Sequence, residues 1–253
     1  MNQSQLRVAV IGANSAIATH VARVYARRGA SLFLIARDES KLNAVCSELE
    51  ELGASVAGAA SGDFSDHAAN AKHIDSAIES LGGIDVAVIA HGWLADQLET
   101  ESDFEVALRA LDVNFLSAVA FLIPIANHME AARAGHIAVM TSVAGERGRP
   151  RNYTYGSAKS ATTTYLEGIR SRLYHQGVGV TDLRLGPVDT PMTVDHEKTR
   201  LFGDAAAVGA AIVRAIDQRK RVVYLPRFWR GIMFIVRHLP ESVFQRFDFL
   251  SGR

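Results

Sequence analysis

Apolar residues along this chain follow two rhythms. Short, β-branched runs at 7–11, 31–36, 54–59, 85–90, 136–141, 178–185 and 222–225 are mostly apolar throughout instead of alternating, the pattern of strands covered on both faces in a parallel sheet. Between them lie stretches of helical length, including 15–28, 39–52, 65–81 and 104–132. Gly29, Gly53, Gly82-Gly83, Gly135 and Gly177 each separate a helical stretch from the next strand, where glycine commonly ends a helix. Strand–helix alternation with short connections predicts right-handed βαβ units and an α/β fold, a doubly wound parallel sheet of about seven strands flanked by helices. With no repeat, low-complexity tract or linker, 1–253 reads as one domain, and 226–253 as its C-terminal amphipathic helical extension.

Two segments break the rhythm. Residues 142–153 form a polar, arginine-rich loop after the fifth strand, and 186–203 a long connection after the sixth. Both leave carboxyl ends of strands, the edge at which open α/β sheets bind ligands, and long loops there suit substrate contact.

Composition removes several classes of function. The 253 residues hold 27 Lys+Arg against 27 Asp+Glu, so the global basic excess of a nucleic-acid binder is missing. At 48% hydrophobic the chain does not have the makeup of a disordered one. Cys46 is the single cysteine, which excludes an intrachain disulfide or a cysteine zinc cluster. The nine histidines show no ligand spacing, and no metal site is expected. The N-terminus lacks the h-region of a secretory signal, and no run approaches the ~20 uninterrupted apolar residues of a membrane span. The expected location is cytoplasmic.

Two local patterns carry candidate chemistry. Gly12-Ala13-Asn14-Ser15-Ala16-Ile17-Ala18 follows the first strand and opens the first helix, where backbone N–H groups and the helix N-terminus suit a pyrophosphate. It also reads as an ordinary βα turn capped by Asn14 or Ser15. Tyr155-Gly156-Ser157-Ala158-Lys159 places a phenol and an ammonium on one helix face. A nearby cation favours the phenolate of a group with a pKa of about 10, which suits Tyr155 to acid–base work near neutrality. A bare Tyr–Lys pair at this spacing is also common on surface helices. Ser142 ends the fifth strand, in position to bind the same substrate oxygen.

Taken in chain order, Gly12, Asp63, Ala90-His91-Gly92, Asn114, Ser142, Tyr155-x-x-x-Lys159 and Gly186-Pro187-Val188-Asp189-Thr190 resemble the short-chain dehydrogenase/reductase family over nearly the whole chain. The resemblance implies a Rossmann-type domain and NAD(P)-dependent interconversion of a ketone and a secondary alcohol. Under it, Tyr155 passes a proton to or from the substrate oxygen as hydride moves to or from the nicotinamide. Lys159 binds the nicotinamide ribose and lowers the phenol pKa, Ser142 holds the substrate oxygen, and Asn114 anchors a water relay to Lys159. Implied cofactor contacts are Gly12, Asn14, Ser15, Ala16 and Ile17 in the first turn, Asp63 and Phe64 at the adenine, and Ala90, His91 and Gly92 after the fourth strand. Pro187, Val188 and Thr190 stand at the carboxamide. The family also implies a homodimer or homotetramer, paired through helices over 104–132 and 153–176.

The sequence departs from the family pattern twice. Ala16 and Ala18 replace glycines of the cofactor turn, and Ala90-His91-Gly92 replaces Asn-Ala-Gly. His91 reads either as a neighbour of the nicotinamide ribose or as a half-buried residue at a strand end. A degraded glycine turn also suits a non-catalytic dinucleotide sensor, against which the retained Ser142, Tyr155, Lys159 and Asn114 argue. Ala36 stands where an NAD site places a carboxylate for the ribose 2′-OH, and Arg37 is able to pair with a 2′-phosphate. NADP(H) is favoured on that reading, with NAD(H) kept open because Asp38 is adjacent.

Arg147, Arg149 and Arg151 crowd the loop between Ser142 and Tyr155. They suit an anionic part of a substrate, or else pairing with acids such as Glu146, or an oligomer contact. In the tail, helical spacing puts Arg227, Arg230 and Arg237 on one side, with Phe228, Trp229, Ile232, Met233, Ile235 and Val236 spread over the other. Such a helix either lies in a membrane interface or packs over the cleft or a second subunit. Residues 219–253 carry eight Lys+Arg and two Asp+Glu, a local charge of +6 within a neutral chain. The runs Ala144-Gly145-Glu146-Arg147, Tyr155-Gly156-Ser157-Ala158-Lys159 and Val236-Arg237-His238-Leu239-Pro240 are similar to the decaprenyl-phosphoryl 2-keto-pentose reductases. That branch implies a keto-sugar carried on a polyprenyl phosphate, reduced at the inner face of a membrane. The rival substrate classes are a soluble ketone, steroid, sugar or acyl-thioester.

Overall fold

All seven strands pair in parallel, in the order β3-β2-β1-β4-β5-β6-β7. They are β1 (Arg7–Ile11), β2 (Ser31–Ala36), β3 (Ser55–Ser61), β4 (Val86–Ile89), β5 (His136–Ser142), β6 (Gly179–Leu185) and β7 (Val222–Leu225). The computed structural model describes residues 5–194 and 197–246. The helices are α1 (Ala16–Ala26), α2 (Glu39–Glu51), α3 (His67–Leu81), α4 (Gln97–Ser102), α5 (Phe104–Leu111), α6 (Ser117–Ala132), α7 (Tyr153–Leu173), α8 (Ala205–Asp217), α9 (Trp229–His238) and α10 (Glu241–Phe244).

The apolar strands divide by alternate residues between two cores. Val8 and Val10 of β1 join α1, α2 and α8 on one face, while Ala9 and Ile11 join α3, α6 and α7 on the other. Both faces are therefore dry, which accounts for strands apolar at nearly every position. Helix starts follow the local sequence. Asp38, Asp66 and Asp204 accept from the backbone N–H groups of Lys41, Ala69 and Ala207, capping α2, α3 and α8. The strand order reverses between β1 and β4, and the crevice at their carboxyl ends is the ligand edge of such a sheet.

The structure corrects several boundaries and one segment. β3 runs to Ser61, β4 is the shorter Val86–Ile89, and α3 starts at His67. Helix 104–132 contains a π-helical stretch, Asp112–Leu116, between α5 and α6, and the short α4 precedes it. This continuous run, Phe104–Ala132, is also long and apolar enough to cross a bilayer, with a mean hydropathy of 1.8 over 18 residues, contrary to the expectation that no segment is. Its Phe121, Leu122, Ile125 and Met129 are fully buried in the core beneath the sheet, while Leu108, Leu116 and Ile123 are exposed, so core packing accounts for one side of the helix.

The C-terminal extension, described as far as Arg246, folds back onto the chain as α9 and α10. Trp229, Met233, Val236 and Phe244 form a third apolar cluster with Val143, the residue after Ser142. Burying Met233 and Phe244 contributes ~1.5–3 kcal/mol each by transfer from water. The apolar side of α9 thus packs on the protein itself, while Phe228, Phe234 and Ile235 stay exposed.

Candidate active site

Gly12 opens the crevice with φ of +82°, a left-handed conformation that glycine adopts freely. A side chain there would come within 2.7 Å of the His91 backbone nitrogen, so the turn brings the ends of β1 and β4 together only because position 12 is glycine. Ser15 occupies the N-cap of α1 without capping it through its hydroxyl, which leaves the first-turn amides around Ala16 and Ile17 for an anion. Asn14 donates from Nδ2 to the Asp38 carbonyl at 2.8 Å, while its Oδ1 is buried without a partner. Ala18 is fully buried in the core against β1, so its methyl fills the close helix–strand contact that a glycine would leave open.

At the end of β4, Ala90 donates to the Ile11 carbonyl at 2.8 Å, and His91 turns inward. The His91 Nε2 lies 2.7 Å from the Ser117 hydroxyl, and Phe64 and Phe121 stand edge-on to its ring at 4.8 and 5.7 Å. Burial, reinforced by Lys159 and Arg37, pushes the imidazole pKa down to about 3, so His91 is neutral at physiological pH. Its Nδ1 is buried without a partner. Phe64 is 3% exposed and packs edge-on against His91, beside the Asp63 expected at the adenine. The Asp63 carboxylate accepts from the Ser65 backbone at 3.1 Å, and that bond holds its pKa below the ordinary range.

The expected catalytic groups converge. Tyr155 hydrogen-bonds to Ser142, and the Ser142 Oγ also accepts from the Ala144 backbone at 3.1 Å. The Lys159 Nζ lies 5.6 Å from the Tyr155 ring centre and donates to the Met140 carbonyl at 3.3 Å. Asn114 sits in the π-helical stretch. Its Nδ2 donates to the carbonyls of Trp93 and Ala110 at 2.7 and 2.8 Å, and its Oδ1 accepts from the Trp93 N–H at 3.0 Å. These bonds pin the loop after β4. A side chain on Gly92 would fall 2.9 Å from the Asn114 Oδ1 and 3.2 Å from the Lys159 Nζ, so glycine keeps open the place where these groups meet.

Electrostatics correct one expectation. Burial, the largest cause, pushes the Tyr155 phenol up to about 12, and the Ser142 bond offsets only part of it. Lys159 is 4% exposed, and burial pushes its ammonium down to about 8. Desolvation of the phenolate outweighs the Ser142 hydrogen bond, the reverse of the lowered phenol expected from the Lys159 spacing.

The loop 142–153 and the tail pack together beside the crevice. Arg147 donates to the carbonyls of Val236 and Leu239 at 2.6 Å each, pairs with Glu241 at 2.8 Å, and stacks 4.0 Å from the Phe244 ring centre. Glu146 instead meets Arg184 at 3.2 Å, and Arg184 also pairs with Asp182 at 2.8 Å. The Trp229 indole lies directly over Gly186, leaving no room for a side chain there, and donates to the Leu201 carbonyl at 3.3 Å. Beyond Gly186, Pro187 accepts from Gly203 at 2.8 Å and Val188 bridges to Gly203. The Thr190 N–H donates to the Thr193 hydroxyl at 3.3 Å, and its carbonyl accepts from the Thr193 N–H at 3.0 Å, closing the short turn Pro191–Thr193.

Arg37 and Asp38 separate in the same way. The Asp38 carboxylate is engaged by Ser40 at 2.7 Å and the Lys41 backbone at 3.1 Å, bonds that lower its pKa to about 2, while its backbone carbonyl accepts from the Asn14 side chain. It does not turn into the crevice. Arg37 is exposed beside it, near enough to lower the pKa values of both Asp63 and His91. The uncapped first turn, the glycine approach, and the orphaned Asn14 Oδ1 and His91 Nδ1 together fit a dinucleotide.

Sequence reasoning did not identify Trp93 or Arg184 as parts of this site, and it left packing over the cleft as one alternative for the tail helix. Trp229 and Met233 belong to the aromatic tail already visible as amphipathic; what it covers is a tertiary fact. Known proteins agree with the geometry. A match to the short chain dehydrogenase family covers residues 7–201. An uncharacterized oxidoreductase of Mycobacterium tuberculosis is 33% identical over 239 residues, covering 94% of this chain and 96% of its own. A hydroxysteroid 11-beta-dehydrogenase 1-like protein of Xenopus tropicalis is 30% identical over 241 residues, covering 93% and 84%. Among solved structures, an actinorhodin polyketide ketoreductase variant crystallised with NADPH superposes with a TM-score of 0.79 at 19% identity, over 88% of this chain and 97% of that one. With its Rossmann-type sheet and the Ser142–Tyr155–Lys159 constellation at the switch-point crevice, the chain belongs to the short-chain dehydrogenase family, oxidoreductases acting on CH–OH and C=O groups.

Proposed function

We propose that this oxidoreductase works as an NADPH-preferring ketone reductase, with a keto-sugar carried on a polyprenyl phosphate as its substrate. The carrying observation is geometric: Tyr155 is bonded to Ser142, with the buried Lys159 Nζ 5.6 Å from its ring centre, so a phenol donor and a hydroxyl meet at the carboxyl end of β5 where a carbonyl oxygen would be held. The bound cofactor supplies the hydride. Ser142 and Tyr155 orient the carbonyl oxygen, and the Tyr155 Oη–H donates its proton as that oxygen becomes a hydroxyl. Lys159 holds the ribose hydroxyls, while Asn114 pins the loop that borders them.

The preference for NADPH rests on Arg37 standing exposed while Asp38 is consumed as the cap of α2. The Gly12, Asn14, Ser15, Ala16 and Ile17 turn would take the pyrophosphate, Asp63 the adenine side, and Ala90, His91, Gly92, Pro187, Val188 and Thr190 the nicotinamide end. Oxidation of NADPH and NADH against polyprenyl-phosphate keto-sugars and soluble ketones tests the whole reading. Turnover of no carbonyl compound with either cofactor would falsify it.

Two surfaces bear on partners. The outer side of α9 exposes Phe228, Phe234 and Ile235 among Arg227, Arg230 and Arg237, which suits peripheral contact with an anionic membrane; liposome sedimentation tests it. A groove of about 870 Å³ beside α7, lined by Phe115, Ser157, Ala161, Tyr165, Ile169 and Arg172, suits a second copy of the chain, giving a homodimer or homotetramer that light scattering would reveal.

A further inference from the structure

The three arginines of the loop between Ser142 and Tyr155 have different fates. Arg147 is consumed by the tail through two carbonyls and Glu241. Arg151 lies on the exposed rim. Arg149 is part-buried, and its guanidinium meets no carboxylate or carbonyl oxygen among the described residues. Its Nη2 lies 3.7 Å from the Met233 sulfur, and its Nε is buried without a partner.

A desolvated cation lacking a counter-charge is costly. Its neighbours add to the cost, since Arg147 and Arg151 both oppose its charge. The one acid of the loop, Glu146, is committed to Arg184. The position is also telling. Met233 packs with Val143, next to the Ser142 that binds Tyr155, and with Trp229, which covers Gly186 at the start of the nicotinamide-side connection. Arg149 is therefore held by the tail helix, whose Met233 packs with the residue that follows Ser142.

We propose that Arg149 is the anion-recognition residue of this site, taking a phosphate group carried by the carbonyl substrate. The proposal rests on the reductase reading above and assigns the phosphate of its substrate to a named side chain. A guanidinium fork matches phosphate oxygens in pairs, and the net positive charge of the loop favours a dianion over a carboxylate. The chemistry is shared by a lipid-linked phosphate and a soluble phosphate ester, and the probes separate the two.

The test uses the full chain with saturating NADPH, which fills the pyrophosphate turn and the Arg37 region. Farnesyl phosphate, inorganic phosphate and farnesol are titrated by calorimetry into the wild type, Arg149→Met and Arg149→Lys. Thermal melts and NADPH affinity establish that each variant is folded. The expected result is phosphate-dependent binding by the wild type, weakened about 10–100-fold in Arg149→Met, as for loss of charge-assisted hydrogen bonds, with partial retention in Arg149→Lys. Farnesol binding should not change between the proteins. Farnesyl phosphate binding far more tightly than inorganic phosphate supports a lipid-linked source; comparable affinities support a soluble ester.

Equal phosphate affinity in the wild type and Arg149→Met, or no phosphate binding by the wild type, overturns the proposal. If ketone turnover persists alongside either result, only the Arg149 assignment fails. If no carbonyl compound is reduced, the reductase reading fails on its own terms.

Discussion

The proposed cofactor side and the proposed substrate side of the crevice are built in contrasting ways. The cofactor side is assembled from short contiguous pieces: the Gly12 turn, the Ala36–Arg37–Asp38 strand end and the Ala90-His91-Gly92 loop, each placed by the strand before it. The substrate side joins residues remote in the chain. Arg147 holds carbonyls 89 and 92 positions away, and Trp229 covers Gly186. The contrast teaches that a backbone-made site can be inherited with the fold, whereas a side-chain-made wall can be rebuilt by appending a tail. Variants should therefore split into those that damage chemistry or cofactor binding and those that damage only the wall.

The largest effect is expected at the junction of the two sides. Tyr155→Phe should lower the turnover number about 10²–10⁴-fold, the usual worth of a positioned acid–base, with little change in NADPH affinity. Steady-state rates and a fluorescence titration of NADPH check it. A variant as active as the wild type would remove Tyr155 from the mechanism.

Next comes the cofactor side alone. Arg37→Ala should raise the KM for NADPH about 10–100-fold, as for a lost charged hydrogen bond, while the parameters for NADH stay put. Parallel losses with both cofactors would mean that Arg37 does not read the 2′-phosphate.

Arg147→Ala probes the wall. It leaves the Val236 and Leu239 carbonyls without their donor; the bond to Glu241, 69% exposed on its side chain, adds little. A loss of ~1.5–3 kcal/mol corresponds to a fall in Tm of about 3–12 °C for a chain of this size. The KM for the carbonyl compound should rise and NADPH affinity hold, so a loss of NADPH affinity would erase the proposed division between the two sides.

The smallest effect is the pH profile. Lys159 titrates at about 8 and Tyr155 at about 12. Reduction should stay level up to about pH 7.5 and decline above pH 8 as the Lys159 ammonium loses its proton, while the phenol remains protonated. A decline that begins only above pH 11 would assign the break to Tyr155 and set Lys159 aside.

The seven strands and most helices were legible because doubly covered parallel strands need apolar residues on both faces, and Asp38, Asp66 and Asp204 announce their helices locally. Tyr155 and Lys159 were legible because i and i+4 share a helix face. The π-helical stretch at Asp112–Leu116 left no comparable signal, since it changes the hydrogen-bond register without changing the apolar pattern. The upward shift of Tyr155 was missed because spacing shows a neighbouring cation but not the loss of water. The tail's amphipathicity was plain, yet its apolar side chose Val143 and Arg149 as neighbours through contacts that no local pattern encodes.

Short-range order thus came from residue type and spacing: strands, caps, the glycine turn, and the family pattern from Gly12 to Thr190. Packing decided everything that depends on which distant surfaces lose water together. It assigned Arg147 to the tail and Glu146 to Arg184, left Arg149 without an oxygen partner among the described residues, and raised the Tyr155 pKa. The physical reason is that backbone geometry and helical periodicity act over a few residues, whereas desolvation and charge pairing depend on the three-dimensional neighbours that folding supplies.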